Sequence, residues 1–164
     1  MKHPESKVIH VEEARIIAQK HRDLQQKIVF TNGCFDIIHK GHIDYLYKAK
    51  QLGNVLFVGL NSDSSIQGMD KSPARPLQDQ SARSWIVSSL YFVDYVILFD
   101  EPTPLLLIEQ ISPHILVKGA DYKAHEIVGY EWVINSGGSV STIPFLEGYS
   151  TSQIEQRILK SHKG

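Results

Sequence analysis

Short apolar runs recur along the chain: Ile28-Val29-Phe30, Val55-Leu56-Phe57-Val58-Gly59-Leu60, Tyr95-Val96-Ile97-Leu98-Phe99, Ile115-Leu116-Val117 and Val140-Ser141-Thr142-Ile143. They lack sustained polar alternation, so they read as strands buried on both faces, as the strands of a parallel sheet are. The segments between them have helical length and period: Gly41 to Leu52, Gln80 to Phe92, Pro104 to Ile111 and Glu126 to Asn135. A helix from Val11 to Gln25 precedes the first strand and another, Thr151 to Lys160, follows the last. Strand alternating with helix predicts an α/β, Rossmann-like fold: an open parallel sheet with helices on both faces and right-handed crossovers. Ligands of such sheets bind at the carboxyl ends of the strands, where strand order reverses. The loops that follow the strands are therefore where chemistry is expected.

The 164 residues, 42% of them hydrophobic, suffice for one packed domain spanning the whole chain, with frayed ends expected at 1–6 and 161–164. A formal net charge of -1 argues against nucleic acid or an anionic membrane as partner, because both select a basic surface. A single cysteine, Cys34, excludes an intramolecular disulfide. The opening residues lack the apolar centre of a signal peptide and no apolar run reaches membrane-spanning length, so the cytoplasm is the expected location. Any anionic ligand must then be met locally.

The first strand runs into Thr31-Asn32-Gly33-Cys34-Phe35-Asp36-Ile37-Ile38-His39-Lys40-Gly41-His42, and a helix begins at about Gly41. Free backbone N–H groups and the positive end of the helix dipole make that terminus suited to an anion, and Gly33 and Gly41 let a phosphate chain approach the backbone. One isolated histidine is usually an ordinary surface residue; two flanking a glycine directly after a strand form a compound pattern that points to function. Phe35 and Ile38 read as packing residues, and Cys34 as a small core residue rather than a nucleophile, since nothing nearby would stabilise its thiolate.

His39-Lys40-Gly41-His42 resembles the His-x-Gly-His signature of the cytidylyltransferase-like nucleotidyltransferases. Class I aminoacyl-tRNA synthetases carry a similar motif, but the chain is too short for a tRNA-recognition domain and lacks their Lys-Met-Ser-Lys-Ser loop. A second signature of the family, Ser-Thr-Thr-x-Ile, is matched by Ser150-Thr151-Ser152-Gln153-Ile154, with the hydroxyl kept at Ser152. Hydroxyl residues where a helix begins are also ordinary N-caps, a role compatible with holding phosphate. The resemblance covers nearly the whole chain and lies nearest to the adenylyltransferases of D-glycero-D-manno-heptose 1-phosphate. Glycerol-3-phosphate cytidylyltransferases resemble it less: they carry Arg-Thr-Glu-Gly where this chain has Phe145-Leu146-Glu147-Gly148, and they lack the lysine present here as Lys118.

The resemblance implies three groups of site residues. His39, His42 and Lys118 would be catalytic. Thr31, Asn32, Gly33, Cys34, Phe35, Gly41, Gly119, Asp121, Gly148, Tyr149, Ser150, Thr151 and Ser152 would join the two histidines around the nucleotide. Asp36, Asn61, Asp63, Lys71, Arg75 and Arg83 would meet the sugar phosphate. The stretch Ser62 to Gln78 is long for a strand-to-helix connection, normally about 2 to 6 residues, which marks it as functional or mobile. Its cations Lys71 and Arg75 suit phosphate, although solvated loop charges are the common outcome. Arg83 sits early in a helix, where the dipole does not favour a cation, so it reaches either a phosphate or an acidic neighbour. Asp121 serves either a turn or the ligand, and Asp36 either sugar hydroxyls or the histidine loop.

The reaction this implies is in-line attack of the sugar-phosphate oxygen on the α-phosphorus of ATP, with pyrophosphate leaving. Mg²⁺ is expected to travel with ATP rather than in a dedicated protein cage, and none of the histidines is assigned to a metal. The product would be an ADP-heptose, a donor for lipopolysaccharide core synthesis. A polyol-phosphate cytidylyltransferase and a non-catalytic nucleotide-binding regulatory module remain as alternatives. A homodimer is expected from the resemblance and from the frequency of two-fold oligomers.

Overall fold

The computed structural model describes residues 3–69, 75–120 and 123–161. Five parallel strands form one sheet: β1 Ile28–Gly33, β2 Val55–Asn61, β3 Tyr95–Phe99, β4 Ile115–Gly119 and β5 Ser139–Ile143. Their spatial order is β3-β2-β1-β4-β5. All five lie where the apolar runs predict them. β2 is buried along its whole length, as a central strand should be. β5 departs from the expectation of burial on both faces: it is an edge strand, and only Ile143 of it is buried. The serines and threonine in its sequence tolerate that exposure.

Helices cover both faces. On one side α1 (Val11–Asp23), α5 (Leu105–Ile111) and α6 (Tyr130–Asn135) pack Ala14, Ala18, Ile108 and Val133 against Phe30, Phe57, Ile97 and Leu116. On the other, α2 (Lys40–Gln51) and α4 (Gln80–Ser89) bring Leu46, Ala49 and Val87 onto Val29, Leu56, Val58 and Val117. The alternation of side chains along each strand is what feeds two cores from one sheet. Two further helices complete the alternation, the short α3 (Asp63–Gln67) after β2 and α7 (Thr151–Ser161) after β5.

Four boundaries differ from the sequence expectation. The expected helix 126–135 is split into a 3-10 turn, Ala124–Glu126, and α6, because Gly129 between them adopts φ +87°. A Cβ there would come within 2.7 Å of Ile108 Cδ1, so the break is tied to close packing on α5. Helix α4 ends at Ser89 rather than Phe92, where Leu90 turns extended and its carbonyl accepts from Lys7 Nζ at 3.0 Å. That lysine closes the 3-10 turn Pro4–Lys7, in a stretch expected to fray, and Val8 then pairs with Val96 beside β3. Finally, α3 forms inside the expected 62–78 loop because Ser62 caps it, its Oγ accepting from Ser65 N at 3.1 Å.

Candidate functional site

Strands β1 and β4 are neighbours at the centre of the sheet, yet β1 leads toward β2 on one side and β4 toward β5 on the other. Their carboxyl ends therefore diverge and leave a crevice, the topological switch point of an open α/β sheet. A cavity of about 720 Å³ opens there. Its walls come from the β1–α2 loop, the first turn of α2, Lys118 and Gly119 at the end of β4, and the β5–α7 loop from Phe145 to Gln153.

His39 stands at the N-cap of α2 and His42 one turn on, so both imidazoles face the crevice from the helix start. Their rings stack with centroids 3.9 Å apart and planes 21° from parallel, while Phe35 packs edge-on to His42 at 5.3 Å. Burial pushes the His42 pKa down to about 4, the neighbouring His39 pushes it the same way, and the Ile37 backbone only partly opposes them. Burial also lowers His39. Both rings are consequently neutral at pH 7. The Nδ1 atoms of both, and Oδ1 of Asn32, are buried without a hydrogen-bond partner among the described residues. Buried polar atoms left so cost about 1–3 kcal/mol each, and they are grouped where a polar ligand would relieve them.

Gly41 lets the two sides of the crevice meet. A Cβ at this position would lie 3.0 Å from the His39 ring and 3.1 Å from the Tyr149 carbonyl oxygen. Lys40 Nζ sits 5.2 Å from the centre of the Tyr149 ring, a second tie between α2 and the β5–α7 loop. Gly148 makes the turn into that helix at φ +81°, and Ser150 Oγ then accepts from Gln153 N at 3.2 Å. Ser150 thus caps α7 and still borders the cavity. Lys118 is half-buried at the end of β4 and lines the same cavity.

A second cavity of about 570 Å³ adjoins the first, and Cys34, Phe35, His42 and Thr151 line both. Asp36 and Arg75 stand on its wall, with Ser152 and Glu155 of α7 opposite. Asp36 is 7% exposed and accepts from Arg75 Nη1 at 2.6 Å, from Leu77 N at 2.9 Å and from Gln78 N at 2.9 Å. Burial alone would raise the Asp36 carboxyl, but the Leu77 and Gln78 amides and the Arg75 guanidinium together outweigh it and hold the pKa below its ordinary value. Arg75 Nη2 donates to Glu155 Oε1.

Several expected ligand contacts are built differently. Thr31 is fully buried, its hydroxyl 2.7 Å from Tyr45 Oη, and lies behind the cavity wall rather than on it. Asn61 borders the cavity but is tied into α3, with Nδ2 donating to Ser65 Oγ at 3.0 Å and Oδ1 accepting from Cys34 Sγ at 3.8 Å. Arg83 is 0% exposed, and its guanidinium donates to Gln78 O at 3.0 Å, Cys34 O at 2.7 Å and Asp63 Oδ1 at 2.7 Å. Of the two partners foreseen for Arg83, the structure has the acidic neighbour: Asp63 and Arg83 brace the β1–α2 loop and line neither cavity. Lys71 and Asp121 lie outside the described residues.

Other wall residues were not anticipated: Tyr45, Met69, Phe145, Leu146, Gln153 and Glu155. Phe145 covers Gly119 so closely that any Cβ there would collide with its ring. Phe145, Leu146 and Gln153 fall within stretches already quoted for the family resemblance, but nothing in the sequence marks them as wall residues, because their contact across the crevice depends on where the β5–α7 loop folds back.

Residues 30–157 match the model of the cytidylyltransferase-like family. The bifunctional protein HldE of Citrifermentans bemidjiense is 49% identical over 149 residues, which is 91% of this chain and 30% of the relative. HldE of Campylobacter concisus is 50% identical over 155 residues, 94% of this chain and 31% of the relative. The chain thus spans less than a third of the length of these curated relatives. Among solved structures, the lipopolysaccharide core biosynthesis protein from Thermoplasma volcanium superposes with a TM-score of 0.62 at 30% identity, covering 76% of this chain and 99% of that one.

Proposed function

Because the chain belongs to the cytidylyltransferase-like family, we propose that it transfers AMP from ATP to D-glycero-D-manno-heptose 1-phosphate, giving ADP-heptose and pyrophosphate. The observation that carries this reading is the stacked, uncharged pair His39 and His42 at the switch point, with His42 common to two adjoining cavities. One cavity suits the nucleotide and the other the acceptor, so that the α-phosphorus and the attacking oxygen meet beside His42. Likeness to HldE proteins and to a lipopolysaccharide core biosynthesis protein supports the heptose acceptor and a place in lipopolysaccharide core synthesis.

A phosphate monoester has its second pKa at about 6, so at neutral pH the acceptor is already mostly a dianion and needs no general base. The burden falls on alignment and on stabilising charge at the α-phosphoryl oxygens. A neutral imidazole carries one N–H to offer for that purpose, and at His42 the Ile37 carbonyl competes for it. Lys118 supplies a compact positive charge from the end of β4, and the N-terminal turns of α2 and α7 add oriented backbone N–H groups. Phe145, Leu146 and Met69 close the remaining wall with apolar surface, which strengthens these interactions by excluding water.

Mg²⁺ enters with ATP as part of the substrate, where it neutralises phosphate charge. Among the described residues no group of three or more His, Cys, Asp and Glu side chains is placed to hold a metal. Asp36, a carboxylate of the second cavity, is already committed to Arg75, Leu77 and Gln78. Following pyrophosphate release with ATP, Mg²⁺ and heptose 1-phosphate tests the proposal directly; absence of release with this acceptor would refute the substrate assignment.

A further inference from the structure

Resting on the acceptor assignment just made, we propose that Glu155 is an internal competitor of the acceptor phosphate, its carboxylate occupying the face of Arg75 that the phosphate must take. Arg75 is the only cationic side chain among the described residues that line the second cavity. Its side chain is 15% exposed and its two terminal nitrogens are divided between two carboxylates, Asp36 through Nη1 and Glu155 through Nη2.

Those two carboxylates are not equivalent. Asp36 is 7% exposed in its side chain and holds the Leu77 and Gln78 amides as well, so its removal from Arg75 would leave a buried charge only partly satisfied. Glu155 has a side chain that is 38% exposed and no other hydrogen bond within the described residues besides the one from Arg75. It can swing into water at small cost, since partly exposed ion pairs contribute little. Asp36 is the fixed anchor of Arg75 and Glu155 the exchangeable occupant.

Charge balance in the cavity points the same way. Among the described residues on its wall there are one guanidinium and two carboxylates, and His42 is neutral, so these groups together carry a net negative charge that repels a dianion. Displacing Glu155 frees the Nη2 donor that it holds, a charged N–H for a phosphate oxygen, while Asp36 keeps Nη1 in place. Glu155 lies on α7 one turn after Ser150-Thr151-Ser152, so its release and the entry of phosphate occur beside the same hydroxyl-rich turn. The competitor raises the acceptor concentration needed for turnover while leaving the nucleotide cavity, whose wall excludes Glu155, untouched.

The test uses inorganic phosphate, with protein preloaded with α,β-methylene-ATP and Mg²⁺ so that the nucleotide cavity is filled, and reads binding by calorimetry. Glu155→Gln should tighten phosphate about fivefold, the scale of one partly exposed charge pair. In the Arg75→Met background the same substitution should leave the phosphate Kd unchanged. Unaltered or weaker binding in the single Glu155→Gln variant would overturn the proposal, as would an equal gain in the Arg75→Met background, which would mark a general charge effect. The single comparison decides alone if the Arg75→Met protein does not fold. The readout involves neither heptose nor turnover, so a wrong substrate assignment and a wrong role for Glu155 give different results.

Discussion

The His39 and His42 rings stack 3.9 Å apart, and the packing that brings them together also keeps His42 uncharged down to a pH of about 4. Two protonated imidazoles at this separation would repel, so the pair can serve phosphoryl oxygens only as neutral donors until a ligand brings negative charge. Replacing either with Ala should lower kcat by about 10²–10³, the range for loss of one donor to a developing oxyanion, with a smaller change in the KM for ATP. Steady-state kinetics on both variants checks this; near wild-type kcat in both would remove the histidines from the transition state.

The same depressed pKa values give stability a pH dependence. The unfolded chain takes up protons at His42 and His39 near their ordinary value of 6.5, whereas the folded chain takes them up only at lower pH. The unfolded state therefore binds more protons in that window, and stability falls as pH drops from about 6.5 toward about 4. Asp36 acts in a lower window: its folded pKa lies below the ordinary 3.8, so the stability it contributes is present above that value and is lost as pH falls through the folded pKa. Thermal melts from pH 8 to 3 should show the first decline, and His42→Asn should flatten it.

Arg83 separates structural from ligand-binding roles. Its guanidinium is fully buried and its three protein acceptors include Asp63, so Arg83→Met should destabilise the fold by about 3–5 kcal/mol through an uncompensated carboxylate and two orphaned carbonyls. Denaturant titration measures this. A raised acceptor KM with unchanged stability would instead return Arg83 to the sugar-phosphate site.

Lys118 emerges from the end of a buried strand, with its stem in the cavity wall. Lys118→Met keeps the stem and removes the charge. Loss of kcat and kcat/KM together is expected if the ammonium acts as charge develops on the α-phosphate. Normal kinetics with a lowered melting temperature would leave it a packing residue.

The first four strands were legible because each is a compact apolar run bounded by polar loops, whereas β5, with serines and a threonine, was legible from its β-branched residues and its place in the strand–helix alternation, which then led to the ligand edge. The histidine motif was legible because its spacing forces both rings onto one turn of α2. Local chemistry that depends on distant packing was not. The break before α6 hangs on Gly129 meeting Ile108, the end of α4 on Lys7 reaching Leu90, and the role of Arg83 on Asp63 and the Cys34 carbonyl being brought to it. Glu155 reads in sequence as an ordinary exposed helix residue. Only the return of α7 to the crevice places it on Arg75.

The most direct measurement compares nucleotide and acceptor pairs in one pyrophosphate-release assay with Mg²⁺. ATP with D-glycero-D-manno-heptose 1-phosphate should give the highest kcat/KM among the four common NTPs, and glycerol 3-phosphate should be a poor acceptor with any of them. Efficient use of CTP with glycerol 3-phosphate would contradict the adenylyltransferase assignment, and nucleotide binding without pyrophosphate release across all acceptors would contradict catalysis itself.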